Sequence, residues 1–308
     1  MFPLSQAELE KFQEQDIEVL QKLDDNGCFA GVGESFEDFK KRLVQEREII
    51  EKFDSDIASG EEVQIFDDIK VKKDDLIGKN IIHEAAKVTQ ELYDFKINYL
   101  PGFFLNKDIG LLWGGCSIYD ESTSQRIFLI RKNFKNSRKW FIYDRCELLS
   151  HELCHSARQI LSDRKVEEFF AYQTSKSALR RYIGNCFISD IDAFLFVLPP
   201  LILLAAQIIK TYFYGNLSIV PFWGLTSMMF LFFAVRNQLA RNLVFKAKKQ
   251  LEKFGIKRKE AFLFRCSSDE LKELGRLEKR QDFCEWIQSK AKTEIRFRVM
   301  MRKWKIDG

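Results

Sequence analysis

The sequence predicts an α+β domain, in which a small sheet lies beside a helix with two histidines. A two-helix transmembrane hairpin and a small cytosolic C-terminal region are predicted to follow it. Three observations lead to this fold class: strand-like segments precede the motif His-Glu-Leu-Cys-His, two uncharged apolar runs follow it, and a basic segment ends the chain. The predicted regions are a helical region (1–58), the α+β domain (59–190), the hairpin (191–235) and the basic C-terminal region (236–308).

The composition is that of a folded intracellular protein. Of 308 residues, 46% are hydrophobic and 31% are charged, which is typical of a folded chain and not of a disordered one. Seven cysteines, an odd number without a CxxC pair, predict reduced thiols and not a disulfide framework. The first residues include no apolar segment of the kind found in signal peptides, so no cleavable signal is expected.

Helical spacing of apolar residues dominates the first third of the chain. Ser5 is placed to cap the first of these segments. The predicted helices are Gln6–Leu23, Ser35–Phe53 and Lys79–Phe95. Three strand-like segments, rich in β-branched and aromatic residues, come next: Gly110–Tyr119, Gln125–Phe134 and Arg138–Tyr143.

Two apolar runs after residue 190 predict the hairpin. Ala193–Ile209 contains no charge over 17 residues, and Leu217–Val235 contains none over 19. A transmembrane helix needs about 17–25 mainly apolar residues. Pro199 and Pro200 would kink the first run without excluding it from lipid. The alternative is a buried helical hairpin inside a large soluble core.

The charges beside the two runs predict their orientation. Lys and Arg residues lie before the first run and after the second, whereas the turn between them offers only Lys210. By the positive-inside rule, both termini and the histidine helix are expected in the cytosol, so the protein is expected to be a multi-pass membrane protein with two spans.

The basic C-terminal region is interpreted first as part of this topology signal and as a possible contact with lipid. Residues 236–308 carry 21 Lys and Arg against 10 Asp and Glu. No zinc-finger, RNP or basic-zipper pattern is present, so no nucleic-acid partner is expected. Glu260–Arg280 is predicted to form a short strand and then a helix capped by Ser267 and Glu270, and Ile295–Trp304 to form another strand.

The motif at residues 151–155 predicts a metal site. Residues four apart lie on one face of a helix, so His151 and His155 are expected to bind the same metal ion, with Glu152 beside them. The spacing of Asp144 and Glu147 predicts that this helix begins just after Tyr143. Glu147 or Arg158, on the same stripe, could then hydrogen-bond to the metal ligands.

A catalytic zinc site needs three protein ligands and an open position. The chain has only three histidines, and the remaining one, His83, lies in an ordinary helical segment, so the third ligand is expected to be a carboxylate. The next predicted helix begins with Glu167 and Glu168, and either could supply it.

The motif HExxH followed by a helical E-x-x-[AS]-[DY] resembles the gluzincin zinc metallopeptidases. Glu168-Phe169-Phe170-Ala171-Tyr172 matches the second part, with Tyr172 where the class usually has Asp. The resemblance implies a zincin-like domain with zinc bound by His151, His155 and Glu168, Glu167 being the alternative. It also implies that Glu152 is the general base and that the edge strand of a small sheet binds substrate.

The expected function is a membrane-anchored zinc metallopeptidase that hydrolyses peptide bonds of an unidentified peptide or protein substrate. A zinc-bound water would attack the peptide carbonyl, and Tyr172, Tyr182 or Arg180 could stabilise the oxyanion. Two alternatives stay open: a zinc-binding membrane protein without catalytic activity, and a membrane-anchored interaction protein whose histidines lie on a solvated helix face. The sequence does not indicate the oligomeric state.

Overall fold

A computed structural model describes residues 2–60, 62–66, 69–105, 113–120 and 125–306. The protein is mostly helical, with small sheets. The helices that precede the histidine motif are α1 (Gln6–Lys11), α2 (Ile17–Asp25), α3 (Phe36–Ala58) and α4 (Lys79–Tyr93). The strands are β1 (Val63–Phe66), β2 (Ile69–Val71), β3 (Gly102–Leu105), β4 (Gly115–Asp120), β5 (Gln125–Arg131), β6 (Lys139–Trp140) and β7 (Tyr143–Asp144).

The N-terminal helices begin where their capping residues predict. The Ser5 hydroxyl accepts a hydrogen bond from the Glu8 N–H at 3.3 Å, and the Glu8 carboxylate accepts one from the Ser5 N–H at 2.7 Å. The predicted helix Gln6–Leu23 is nevertheless two helices, because the backbone is extended at Phe12, which is buried. Asp16 then caps the turn by accepting the Gln13 N–H at 2.7 Å.

The sheet beside the histidine helix is small and has β5 at its centre. Strand β5 pairs in parallel with β3 and antiparallel with β4, so β4 lies at an edge. Ile127–Ile130 is buried throughout, which explains the unbroken apolar run in the central strand. Two of the predicted strand segments overlap β4 and β5, although Gly110–Leu112 lies outside the described residues. The third forms a separate two-stranded hairpin, β6–β7.

The histidine helix and its neighbours follow that hairpin. They are α5 (Arg145–Arg158), α6 (Arg164–Tyr172) and α7 (Ala178–Ile183). As predicted, α5 begins just after Tyr143, because the Asp144 carboxylate accepts the N–H groups of Cys146 at 2.9 Å and Glu147 at 3.3 Å. A short connection separates α5 from α6.

Two long helices come next, α8 (Asp190–Tyr212) and α9 (Val220–Lys253), and they pack against each other. Among the described residues, one helical segment is long and apolar enough to cross a membrane: Ile191–Tyr212, with a mean hydropathy of 2.1. Pro199 and Pro200 lie inside it without ending it. The second predicted span, Leu217–Val235, begins in a loop and enters the long helix α9 only at Val220, so its apolar helical part is shorter.

The C-terminal region is helical throughout, with α10 (Lys259–Phe264), α11 (Ser268–Leu274), α12 (Arg280–Thr293) and α13 (Ile295–Trp304). The Ser267–Glu270 capping box is confirmed. Both predicted strands are wrong. All four residues of Ala261–Phe264 are buried, so the segment has no polar face. The sequence pattern of such a short buried helix is the same as that of a short buried strand. Ile295–Val299 alternates apolar and charged residues, as a half-buried strand would. The segment is nevertheless a helix, and Arg296 is buried in it because it forms an ion pair with Glu270 at 2.6 Å.

The N-terminal and C-terminal regions share one hydrophobic core with α5. The buried Arg265 guanidinium donates to both carboxylate oxygens of Asp24 at 2.7 Å. The buried Arg158, at the end of α5, donates to the carbonyls of Phe264 and Cys266. These buried contacts hold the regions before α8 and after α9 together.

Candidate metal centre

Helix α5 presents its two histidines on the face opposite its core contacts. Leu149, Leu153 and Ala157 are fully buried against the core, whereas the side chains of His151 and His155 keep 17% of their surface exposed. The amphipathic pattern of the helix therefore turns both imidazoles towards the same open space.

Helix α6 brings a carboxylate to these imidazoles. The Asp163 carboxylate caps α6 by accepting the Lys165 N–H at 3.2 Å. The Glu168 carboxylate then lies 3.4 Å from His155 Nε2 and 3.6 Å from His151 Nε2. The two Nε2 atoms are 3.0 Å apart. His151, His155 and Glu168 thus form a group that could hold a metal ion.

Hydrogen bonds to α6 orient the imidazoles. His155 donates from Nδ1 to the Glu167 carboxylate at 2.8 Å. His151 is hydrogen-bonded to the backbone of Ala171. The Nε2 atoms of both rings are thereby left facing each other and the Glu168 carboxylate. Once the proton shared between these groups is released, they form a set that binds a cation.

The spacing of these groups is compatible with a small cation such as zinc. Ligand bonds of about 2.0–2.2 Å at tetrahedral angles place donor atoms about 3.3–3.6 Å apart. The two Nε2 atoms are 3.0 Å apart, Glu168 Oε1 lies 3.4 Å from that of His155, and Glu168 Oε2 lies 3.6 Å from that of His151. Two imidazoles and one carboxylate leave a fourth position open, as in catalytic zinc sites.

The ionisation of the ligands indicates a cluster that is short of positive charge. Burial raises the pKa of Glu168 to about 7, and the charge of His155 only partly offsets it. Burial lowers the pKa of His155, but its hydrogen bond to Glu167 and the Glu168 charge outweigh burial and raise it to about 9. Burial and the neighbouring His155 lower the pKa of His151. A proton on His155 therefore occupies the place that a metal cation would take, and metal binding would release it.

Glu152 lies beside the candidate metal centre but is directed at the sheet. Its side chain is buried, and its carboxylate is hydrogen-bonded to the backbone of Ser117 in the edge strand β4. Burial raises the pKa of Glu152, while the charge of His155 and the Ser117 hydrogen bond lower it in part. A carboxylate held this way is suited to exchange a proton with a group in the cleft.

Tyr172 takes the position at which an Asp is expected in the E-x-x-[AS]-D pattern. Its ring packs edge-on against His151, with the ring centroids 4.6 Å apart. On its other side it contacts Gly184, where an added Cβ would come within 2.1 Å of the Tyr172 ring. Gly184 therefore allows the close approach that holds Tyr172 against the ligand. Burial and then Glu168 raise the pKa of Tyr172 to about 12, so it remains a hydroxyl donor.

Sequence reasoning assigned the partners of the metal ligands to other residues. Glu147 is turned away from the histidines and accepts hydrogen bonds from the Ser175 hydroxyl and the Lys176 N–H, each at 3.0 Å. Arg158 points into the core. The partner of His155 is Glu167, which the sequence offers as the alternative ligand. The adjacent acidic pair could have indicated this arrangement, because neighbouring helix positions let Glu168 face Nε2 of His155 and Glu167 face Nδ1.

Two cavities adjoin the candidate metal centre. The larger, about 860 Å³, is lined by the three candidate ligands and Glu152 and extends to the start of α8. The smaller, about 420 Å³, shares His151, Glu152 and Tyr172 with it. Its walls are largely apolar and include Trp113, Leu148, Ile183 and Phe187, and its further charged members are Asp144, Glu147 and Arg180. These volumes are those of typical ligand sites.

Comparison of the chain with models of protein families, with curated proteins and with solved structures found no match.

Proposed function

We propose that the protein is a membrane-anchored zinc metallopeptidase of the gluzincin type. The observation that carries the proposal is the convergence of His151, His155 and Glu168, with the Glu167 carboxylate holding the His155 ring in place. The strand β4 next to α5 adds support, because it lies at an edge of the sheet formed by the described strands, and an extended peptide can add to such an edge beside the ligands.

Zinc at this site would act as a Lewis acid and lower the pKa of a water molecule. Glu152 lines both cavities and its carboxylate is held by Ser117, so it would accept a proton from a water molecule in the cleft and donate it to the leaving amine. Glu167 accepts the Nδ1 proton of His155, which would leave Nε2 for the metal.

Two of the three residues considered for oxyanion stabilisation line the smaller cavity: Tyr172 and Arg180. We assign the role to Tyr172, since it alone also borders the larger cavity and packs against His151. Arg180 lies 3.6 Å from Glu147, which partly neutralises it. Tyr182 instead has the Arg241 guanidinium over its ring, 4.7 Å from the centroid.

Metal analysis tests the proposal directly. The purified protein is expected to contain about one zinc per chain, to lose it to a chelator and to regain it. His155→Ala is expected to abolish stoichiometric binding, because it leaves two protein ligands. His83→Ala is the matched control, since His83 is exposed on α4. Equal zinc content in both variants, or none in the wild type, would contradict the metal centre.

We also propose that both α8 and the apolar half of α9 cross the membrane, with both termini and the metal centre in the cytosol. The shared core before α8 and after α9 supports an even number of crossings, because a chain that enters through α8 must return. Large apolar side chains of α9, such as Trp223, Met228 and Leu231, are exposed. The helical stretch Val220–Val235 spans about 24 Å, which a locally thinned bilayer accommodates.

Labelling with a membrane-impermeant maleimide tests this topology. Asn216→Cys, in the exposed turn between the two helices, is expected to react from outside intact cells. Ser59→Cys, on the exposed end of α3, and a tag after residue 308 are expected to be protected until the membrane is opened. The unmodified protein gives the background from its native cysteines. External labelling of Ser59→Cys, or protection of Asn216→Cys, would refute two spans with this orientation.

A further inference from the structure

We infer that the candidate metal centre works at the membrane surface and that its substrates are polypeptide segments adjoining their own membrane anchor. This inference names the substrate class of the proposed peptidase and rests on that function. It is drawn from three features: an ion pair that marks the membrane boundary, a cavity that reaches that boundary, and an apolar rim at the same level.

The boundary is marked by the ion pair between Asp192 on α8 and Arg236 on α9. Arg236 donates from Nη1 and Nη2 to the Asp192 carboxylate at 3.0 and 2.8 Å. Beyond this pair, the next charge on α8 is Lys210, and the apolar run before Arg236 carries none. Because charged side chains are costly in the hydrocarbon core, the pair lies at the surface of the bilayer. It therefore fixes the height, along the membrane normal, at which both helices enter the bilayer.

The larger cavity extends from the metal ligands to this boundary. Its lining includes His151, His155 and Glu168, and also Phe187, Ile188, Ser189 and Ala193. Ser189 and Ala193 flank Asp192 in sequence, and the Asp192 carboxylate accepts the Ile188 and Ser189 N–H groups at 2.8 and 3.0 Å. A peptide that fills the cavity therefore touches the residues at which α8 enters the membrane.

The smaller cavity has an apolar rim at the same height. Two segments form it, the β6–β7 turn and α7, and they are joined by a hydrogen bond from Arg180 to the Ile142 carbonyl. Its exposed apolar residues are Phe141, Ile142, Leu179, Tyr182 and Ile183, of which Ile142 and Ile183 line the cavity itself. At the start of α8, Ile191 and Phe194 are likewise 67% and 63% exposed.

Hydrogen bonds from α9 fix the height of this rim. Asn237 donates to the Tyr182 carbonyl at 2.8 Å, and Arg241 donates to the Arg181 carbonyl at 3.0 Å. Asn237 directly follows the boundary residue Arg236, and Arg241 lies little more than one turn further on. Helix α7 is thereby held against the interface, where its exposed apolar side chains would contact lipid.

This placement favours chains that are already in the bilayer. A membrane-anchored polypeptide reaches the cleft by lateral diffusion, and its first residues outside the membrane lie at the height of the ligands. Ten extended residues cover about 33 Å. We therefore expect cleavage within about ten residues of the anchor, whereas a free peptide gains nothing from the position of the site.

The test uses the full chain in liposomes with one degenerate, apolar-rich target segment. The segment is joined to a single apolar transmembrane helix either directly or through a rigid 40-residue helical spacer, which holds it about 60 Å away. Both substrates have the same surface density. We expect Glu152-dependent cleavage of the direct fusion to be at least about ten-fold faster than that of the spaced fusion. Equal rates for the two fusions, or equally fast cleavage of the free segment, would overturn the inference and leave the peptidase intact.

A second measurement does not depend on hydrolysis. Vesicles that contain phospholipids with a diazirine near the headgroup are irradiated, and the modified peptides are mapped. Labelling of Phe141–Ile142 and Leu179–Ile183, with none on the exposed face of α3, is the expected result. Labelling confined to α8 and α9 would refute the surface placement. Labelling of the rim without Glu152-dependent cleavage of any substrate would retain that placement and overturn both the substrate class and the proposed peptidase.

Discussion

Glu152→Gln is expected to lower peptide hydrolysis by about 10²–10⁴-fold while leaving the zinc content unchanged. Glutamine has nearly the shape of glutamate but does not accept a proton from the attacking water at neutral pH. Glu152 is not among the three convergent ligands, and it is directed at Ser117, so the substitution leaves the coordination shell intact. Zinc content by mass spectrometry and cleavage of casein or a peptide library in detergent measure the two effects.

His151→Ala is the comparison that separates binding from chemistry. It removes one of three protein ligands, so both zinc and activity are expected to be lost. Glu147→Gln is the matched control, because Glu147 lies one turn earlier on the same helix and contacts Ser175 and Lys176 instead of the ligands. A wild type that binds zinc but cleaves nothing that Glu152→Gln spares would favour a non-catalytic zinc protein. Full activity in Glu152→Gln would refute the general-base role.

The sequence was most informative where local rules act alone. The spacing of His151 and His155 and the cap at Asp144 depend only on helix geometry, and the structure has both imidazoles on one face of a helix that begins as predicted. The strand β5 was likewise visible from its β-branched and aromatic residues. The assignment of zinc and of hydrolysis to this geometry stays a prediction.

The sequence was least informative where a buried charge is neutralised by a residue far away in the chain. Arg296 appears polar in an alternating pattern, yet Glu270 neutralises it inside the core, and the segment is a helix. The link between Asp24 and Arg265 likewise joins residues far apart in the chain. Neither partner identifies the other by spacing, so the attachment of the C-terminal helices to the N-terminal region could not be predicted from local patterns.

The adjacent pair Glu167 and Glu168 could not be resolved by spacing for a related reason. Both lie in the first turns of α6, and either carboxylate can approach a histidine on α5. What separates them is the ring nitrogen each one meets. Glu167 Oε1 lies 2.8 Å from His155 Nδ1, whereas Glu168 Oε1 lies 3.4 Å from His155 Nε2. The two nitrogens face opposite sides of one imidazole, so Glu167 does not reach the point at which the ligands converge.

Glu168→Gln and Glu167→Gln are therefore expected to differ strongly in zinc binding. The first leaves two imidazoles and a weak neutral donor, so stoichiometric zinc and peptide hydrolysis are both expected to be lost. The second keeps the ligands and removes the acceptor that orients His155, so zinc affinity is expected to fall by about 10–100-fold, with activity restored at higher zinc concentration.

The two variants control for each other, because they make the same chemical change at neighbouring positions of one helix. Titration of the metal-free proteins against a competing chelator gives each affinity, and circular dichroism confirms that both remain folded. A larger loss of affinity in Glu167→Gln than in Glu168→Gln would make Glu167 the third ligand. Equal affinities in both variants and the wild type would mean that neither carboxylate binds the metal. The expected order, wild type above Glu167→Gln above Glu168→Gln, follows from which nitrogen of His155 each carboxylate faces.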